Sequence, residues 1–388
     1  MDFLGLTTEQ LQAAGGYWTA REIAQQPRIW MQVRESLAAG REPLDRFLRP
    51  LLSQRALRVI LTGAGTSAFV GECLAPALRR RWQLPVDAVS TTDLVASPDS
   101  WLLPDEPTLF VSFARSGNSP ESVAALELAE RYVTAGHHLI VTCNAAGALA
   151  QRARSLPNAH VILMPEESND RSFAMTSSFS AMLLAAGLAF DAIPAEPAAT
   201  ATLADAGRMM LQRMLPLAGR LADERFQRIV YLGSKELKGL AREAALKMLE
   251  LTDGKVVAVA DTPLGFRHGP KTFINSRTLV VVFEAADRYT RRYDRDLIDE
   301  LRADGIAGRV VALTDADAAA AEHADTLSMP ALVPAGDLGL CLPYIVFAQV
   351  LAFMQSLAAG NRPDTPNAAG TVSRVVRGVS IYPWNPVP

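Results

Sequence analysis

The sequence predicts an α/β protein built from two tandem doubly wound parallel-sheet domains behind a helical N-terminal segment. Three observations lead there. Short apolar runs that read as buried strands alternate with helical stretches. Several of these runs end in turns rich in Gly, Ser and Thr that open into the next helix. The second half also repeats the first: apolar runs centred near residues 60, 110 and 140 recur about 170 residues later.

The elements follow in order. Residues 1–50 read as helical, with Thr19 and Glu22 of TAREIAQQPRIW in capping-box spacing. Val59 to Thr62 form the first strand and run into Gly63-Ala64-Gly65-Thr66-Ser67. Leu109 to Val111 form the next, before Arg115-Ser116-Gly117-Asn118-Ser119, and Leu139 to Thr142 a third. The repeat brings Ile229 to Leu232 before Gly233-Ser234, then Leu279 to Phe283 and Arg309 to Thr314. These spacings place a first domain at 51–205 and a second at 206–360, joined through the Ala- and Pro-rich stretch from Ile193 to Thr202. Residues 361–388 form a tail expected to fold back on the body.

Bulk properties narrow the function. A chain of 388 residues, 49% hydrophobic and 20% charged, has room for two cores, and a net charge of -3 gives no footing for nucleic acid. Cys73, Cys143 and Cys341 share no metal-type spacing and read as buried thiols in a reducing compartment. The start of the chain has no leader-like apolar core, and no run is expected to span a membrane. A cytoplasmic location follows as the expectation.

The chemistry concentrates in two kinds of place. Thr66 and Ser67, with Ser116 and Ser119, put hydroxyls and helix N-termini at the carboxyl ends of successive strands, which suits a phosphate. Each turn alone is also explained by ordinary helix capping. Gly63-x-Gly65 lacks the third glycine of a dinucleotide fingerprint, and no P-loop lysine follows. Thr176 and Ser177 form a third polar turn before an apolar helix. In the second half, Glu243, Lys247 and Glu250 share one stripe of a mostly apolar helix, where buried charge must face a cavity, a ligand or a partner. A surface Glu243 to Lys247 ion pair is the alternative. His268 follows in a Gly-Pro loop. Binding in the first domain and chemistry in the second is the division these residues suggest.

These motifs, with Glu243-Ala244-Ala245-Leu246-Lys247 and His268-Gly269-Pro270, resemble the paired sugar isomerase (SIS) domains that handle phosphosugars. Within that group TAREIAQQPRIW, PEESNDRSFAMTSSF, GFRHGPK and AAGTVSRVVRGVSIY resemble the tagatose-6-phosphate ketose/aldose isomerase and galactosamine-6-phosphate deaminase type. The resemblance extends to the isomerase half of glucosamine-6-phosphate synthase. It implies a flavodoxin-like SIS fold and a sugar 6-phosphate substrate held by Gly65, Thr66, Ser67, Arg115, Ser116 and Ser119, with Thr176, Ser177 and Arg377 nearby. It further implies Glu250 as proton shuttle, His268 as ring opener reaching over from a neighbouring subunit, Lys247 as helper, and a homodimer or larger homo-oligomer with composite sites. No metal or organic cofactor is implied.

Two departures from the synthase stand out. Ala114 occupies the place of a phosphate-binding serine, and Arg377 that of a tail lysine, where a guanidinium cannot form a Schiff base. The chain begins Met1-Asp2-Phe3 with no glutamine-hydrolysing domain, so the degradative direction is expected. Deamination of galactosamine 6-phosphate to tagatose 6-phosphate is the leading expectation. Isomerisation of a neutral hexose 6-phosphate and phosphosugar sensing without catalysis are the alternatives.

Overall fold

A computed structural model describes residues 2–316, 325–329, 336–376 and 378–385. Among them, ten strands make two five-stranded parallel sheets. They are β1 (Arg58–Gly63), β2 (Val86–Ser90), β3 (Thr108–Ala114), β4 (Gly136–Thr142) and β5 (Ala159–Leu163), then β6 (Arg228–Gly233), β7 (Val257–Asp261), β8 (Thr278–Phe283), β9 (Arg309–Thr314) and β10 (Thr326–Ser328). The first sheet runs β2-β1-β3-β4-β5 and the second β10-β9-β8-β6-β7, which is the same order read from the opposite edge. Register repeats as well: Ile60 lies between Asp87 and Phe110, and Val230 between Val259 and Val280. The predicted duplication is therefore present in topology. All six strands expected from the sequence form, while β2, β5, β7 and β10, the four edge strands, were not among those expected.

The chain divides into two compact units. One comprises Gln32–Asn169, Ser177–Ala192 and Ala369–Pro388 and holds the first sheet; the other comprises Met1–Met31, Asp170–Thr176 and Ile193–Ala368 and holds the second. In the first-sheet unit, Ile60 and Phe110 pack against Ala125, Ala129 and Val133 at the helix Pro120–Tyr132. In the second-sheet unit, Val230, Val280 and Val282 pack on Leu297, Ile298 and Leu301 of the helix Arg288–Asp304. Tyr231, Phe283 and Tyr344 stack on its opposite face, with centroids 6.0 and 5.7 Å apart. The three cysteines are buried and form no disulfide among the described residues.

Two expectations are corrected. Thr19 and Glu22 do not form a capping box: the helix is Tyr17–Ala24 with Gly16 at its N-cap, so both lie inside it. The capping box near the N-terminus is instead Thr7 with Gln10. The Ile193 to Thr202 stretch is largely the start of a 27-residue helix, Pro197–Asp223, with Pro197 in the first turn where its fixed φ and missing N–H do no harm. Finally, the helix Gly336–Ala358 is long and apolar enough to cross a membrane. Its apolar span is 94% buried inside the protein, against the helices Pro197–Asp223 and Glu236–Leu251, so its hydrophobicity serves the core.

Candidate functional site

In the first-sheet unit the strand order reverses between β1 and β3, so a crevice opens beyond their carboxyl ends. Both polar turns lie there. Gly63 ends β1 where a Cβ would come within 2.6 Å of the Ser67 backbone, so only glycine lets the helix Thr66–Trp82 start so close. Gly65 follows at φ 55°, and Thr66 and Ser67 are buried in the first helical turn. After β3, Arg115 is buried and its Nη2 donates to the Arg374 carbonyl at 2.8 Å. Ser116 Oγ accepts from the Asn118 N–H, while Asn144 Nδ2 donates to the Ser116 carbonyl at 2.8 Å and Leu149 N–H to that of Gly117 at 3.0 Å. These bonds fix the turn.

Simple capping does not account for Ser119. It occupies the N-cap of Pro120–Tyr132 but makes no side-chain cap bond; its Oγ donates to Ser122 Oγ at 2.6 Å. Gly65, at the N-cap of the other helix, has no side chain to cap with. Two helix N-termini thus face one crevice with hydroxyls beside them, an arrangement complementary to an anion. Ser177 begins the buried helix Ser177–Ala189, which packs on Thr66–Trp82.

In the second-sheet unit the helix Glu236–Leu251 follows β6. Lys247 and Glu243 are wholly buried, with Lys247 Nζ 3.5 Å from Glu243 Oε1 and bound directly to Glu250 Oε2. The surface ion pair weighed from sequence is excluded by that burial. Glu250 keeps 24% of its side chain exposed, the one member of the triad that reaches solvent. His268 is exposed on a loop whose flanks are clamped: Arg267 Nε donates to Glu300 at 2.8 Å, and Lys271 pairs with Glu300 and with Asp304 at 2.5 Å. Those carboxylates raise the Lys271 pKa, and Lys271 and Arg267 in turn lower that of Glu300. Gly269 at φ 117° turns the chain immediately after the histidine.

The second unit also holds a network that sequence reasoning missed. Thr176 is fully buried and donates to Asp170 from its N–H at 2.8 Å and from its hydroxyl at 3.3 Å. Glu22 accepts the Arg171 N–H at 2.5 Å and that of Ser172 at 3.3 Å. Asp364 accepts from both the N–H and the hydroxyl of Thr19, and Gln26 Nε2 donates to Gln349, whose own amide reaches the Thr176 carbonyl. The readable signal was the spacing of Thr19, Glu22 and Gln26, three and then four residues apart, all three of them buried. Arg377 lies outside the described residues.

Comparison with known proteins fits this architecture. Residues 51–192 and 221–359 match the SIS domain. An AgaS protein of Streptomyces coelicolor is 51% identical over 95% of this chain and 96% of its own length. The D-galactosamine-6-phosphate deaminase AgaS of Escherichia coli is 47% identical over 96% of this chain and 97% of its own. The crystal structure of tagatose-6-phosphate ketose/aldose isomerase from Escherichia coli matches with a TM-score of 0.89 at 44% identity, covering 96% of this chain and 98% of that one. With both sheets matched to SIS domains and nearly its whole length shared with these relatives, the chain belongs to the SIS-domain family, in its AgaS branch.

Proposed function

We propose that the protein is an amino-sugar-6-phosphate deaminase and isomerase that converts galactosamine 6-phosphate to tagatose 6-phosphate and ammonia, working as a cytoplasmic homo-oligomer with composite sites. The observation that carries the reading is the Glu243–Lys247–Glu250 triad, two members sealed in the core and one carboxylate held out to solvent. The name of the Escherichia coli relative supports the substrate.

In this reading Gly65, Thr66, Ser67, Arg115, Ser116 and Ser119 hold the phosphate, with Thr176, Ser177 and Arg377 shaping the rest of the pocket. Anchoring the remote phosphate fixes C1 and C2 for reaction. His268, contributed by a neighbouring subunit, moves a proton between O1 and the ring oxygen, which opens the ring to the aldehyde. Glu250 then takes the C2 proton and delivers it to C1 while an amine proton passes to O1, turning the 2-amino aldehyde into a C2 imine beside a C1 alcohol. Water adds to that carbon and ammonia leaves, giving the ketose. Lys247 orients Glu250 and balances its charge. Every step moves protons, so the chemistry calls for neither metal nor organic cofactor.

The test is direct. Incubation with galactosamine 6-phosphate, glucosamine 6-phosphate and tagatose 6-phosphate should release ammonia and ketose from galactosamine 6-phosphate at the highest kcat/KM. Ketose formation only from neutral sugars would replace deamination by isomerisation. Glu250→Gln should lower kcat by about 10²–10⁴ while sugar-phosphate binding stays within a few-fold.

A further inference from the structure

Deep in the second-sheet unit, one short segment hangs from a polar network that the reaction above does not use. Asp170–Thr176 is held along its length: Glu22 takes the N–H groups of Arg171 and Ser172, the Asp364 carbonyl takes that of Phe173 at 3.2 Å, and Asp170 folds back onto Thr176. Glu22 is only 3% exposed and Asp170 is fully buried. A carboxyl placed so deep is costly unless its bonds define a geometry. Arg171, at the head of the segment, is exposed, and its guanidinium lies 4.6 Å over the Trp18 ring of the same helix that carries Glu22. The segment ends at Thr176, directly before Ser177 and the helix it starts.

We propose that Glu22 is a positioning residue: by gripping the amides of Arg171 and Ser172 it sets the Asp170–Thr176 segment, and with it Thr176, in the form that binds the sugar phosphate. This rests on the pocket assignment of Thr176 made above. Glu22 acts through backbone and has no part in proton transfer to substrate.

Charge makes the grip dependent on pH. Of the groups at Glu22, Asp170 on the segment carries the charge that acts on it, Arg171 and Ser172 give it their amides, and Asp364 lies one turn away on Thr19. Burial first, and the Asp170 charge second, lift the Glu22 carboxyl to about 8, against the pull of the amides. At neutral pH Glu22 is therefore largely protonated. Above pH 8 it ionises beside Asp170, and two buried carboxylates repel.

The proposal is tested with wild type, Glu22→Gln and Glu22→Ala, by amide hydrogen exchange of the 170–176 region and by calorimetric binding of galactosamine 6-phosphate and tagatose 6-phosphate from pH 6 to 9. Glu22→Ala should speed exchange in that region at least tenfold and weaken binding at least tenfold at pH 7. Glu22→Gln, which mimics the protonated acid, should keep both. Wild-type affinity should fall at least threefold above pH 8, and that of Glu22→Gln should stay flat. A folded Glu22→Ala with wild-type affinity, faster exchange without loss of affinity, or a Glu22→Gln profile that follows wild type would overturn it. If Glu22→Ala does not fold, the pH profile of Glu22→Gln decides alone. Sugar phosphates that bind but are not turned over would sink the deaminase reading and leave this comparison standing.

Discussion

The two sheets end in the same backbone trap and fill it with opposite charge. Gly65 after β1 has φ 55° and ψ -126°; Lys235 after β6 has φ 55° and ψ -123°. Gly63 and Gly233 each sit where a Cβ would strike the backbone of the residue four positions on, Ser67 and Leu237. From that shared geometry the side chains diverge. Beyond β1 and β3 stand Thr66, Ser67, Ser116, Ser119 and the guanidinium of Arg115. Beyond β6 and β8, Asp294 accepts from Ser234 and the Ala285 N–H, Asp337 pairs with Lys235 at 2.8 Å, and Glu284 and Asp315 engage Arg291. One copy of the nest keeps hydroxyls and a guanidinium, and the other has become an internal ion network. Duplication supplied two crevices, and in the proposed function phosphate takes the first.

Carrying the second crevice's charge into the first should have the largest effect. Ser67→Asp places a carboxylate where the phosphate is proposed to bind, and like-charge juxtaposition is worth several kcal/mol. Binding of a sugar 6-phosphate should weaken by about 1,000-fold, roughly 4 kcal/mol. The fold should survive, because a carboxylate in the first turn suits the helix N-terminus. Calorimetry with the phosphosugar checks it. Affinity within tenfold of wild type would mean that the β1 turn is not the phosphate site.

How far the sequence was legible follows the same division. The inner strands, such as β3 with every residue buried, announced themselves as apolar runs. The edge strands did not, because a strand half open to solvent needs no run of large apolar residues: Val86 to Ser90 reads VDAVS, and Val257 to Asp261 reads VAVAD, whose small alanines suit a helix as well. At the candidate site, the helix stripe of Glu243, Lys247 and Glu250 was readable because polar residues on a buried helix have few explanations. What it could not yield was depth, since spacing says nothing of which carboxylate reaches solvent. The Glu22, Asp170 and Asp364 network was hidden for another reason. Its partners lie about 150 and 345 residues apart, and local spacing offered a capping box in their place.

Acid should separate the two units by an intermediate amount. In the first-sheet unit His138 is fully buried, stacked on Phe110 at 5.6 Å, with no hydrogen-bond partner on either ring nitrogen. Burial, aided by the His137 charge, lowers its pKa from 6.5 to about 4. Between those values the unfolded chain binds a proton that the folded one refuses, so stability falls as pH drops, by up to about 3 kcal/mol. In the second-sheet unit Asp294 behaves in reverse. Burial and then the nearby Glu284 and Asp337 charges raise it from 3.8 to about 6 against the Ala285 and Ser234 bonds, so the folded state gains as pH falls through that window. Hydrogen exchange at pH 4.5 should quicken in β3 and β4 before β6 and β8, and His138→Phe should narrow the difference to the part that Asp294 supplies. Equal acceleration in both sheets would show that these groups do not govern the acid response.

The smallest effect tests why a lysine tolerates the conformation that the first sheet gives to glycine. A non-glycine residue at φ 55° and ψ -123° carries about 1–3 kcal/mol of strain, so Lys235→Gly should relieve it. The same change strips the carboxylate of Asp337, 3% exposed, of its cation and leaves it the Ala286 and Asp287 N–H groups. Stranding a buried charge costs roughly 3–5 kcal/mol, less here because Lys235 is itself 30% exposed. The ion pair should win, and Lys235→Gly should destabilise by about 2 kcal/mol. Pairing it with Asp337→Asn removes the stranded charge while keeping the strain relief, so the double variant should return to wild-type stability or exceed it. Urea titration of both singles and the double closes the cycle. A single Lys235→Gly that is more stable than wild type would mean that backbone strain outweighs the pair, and that the ion network is not what keeps lysine in the glycine's place.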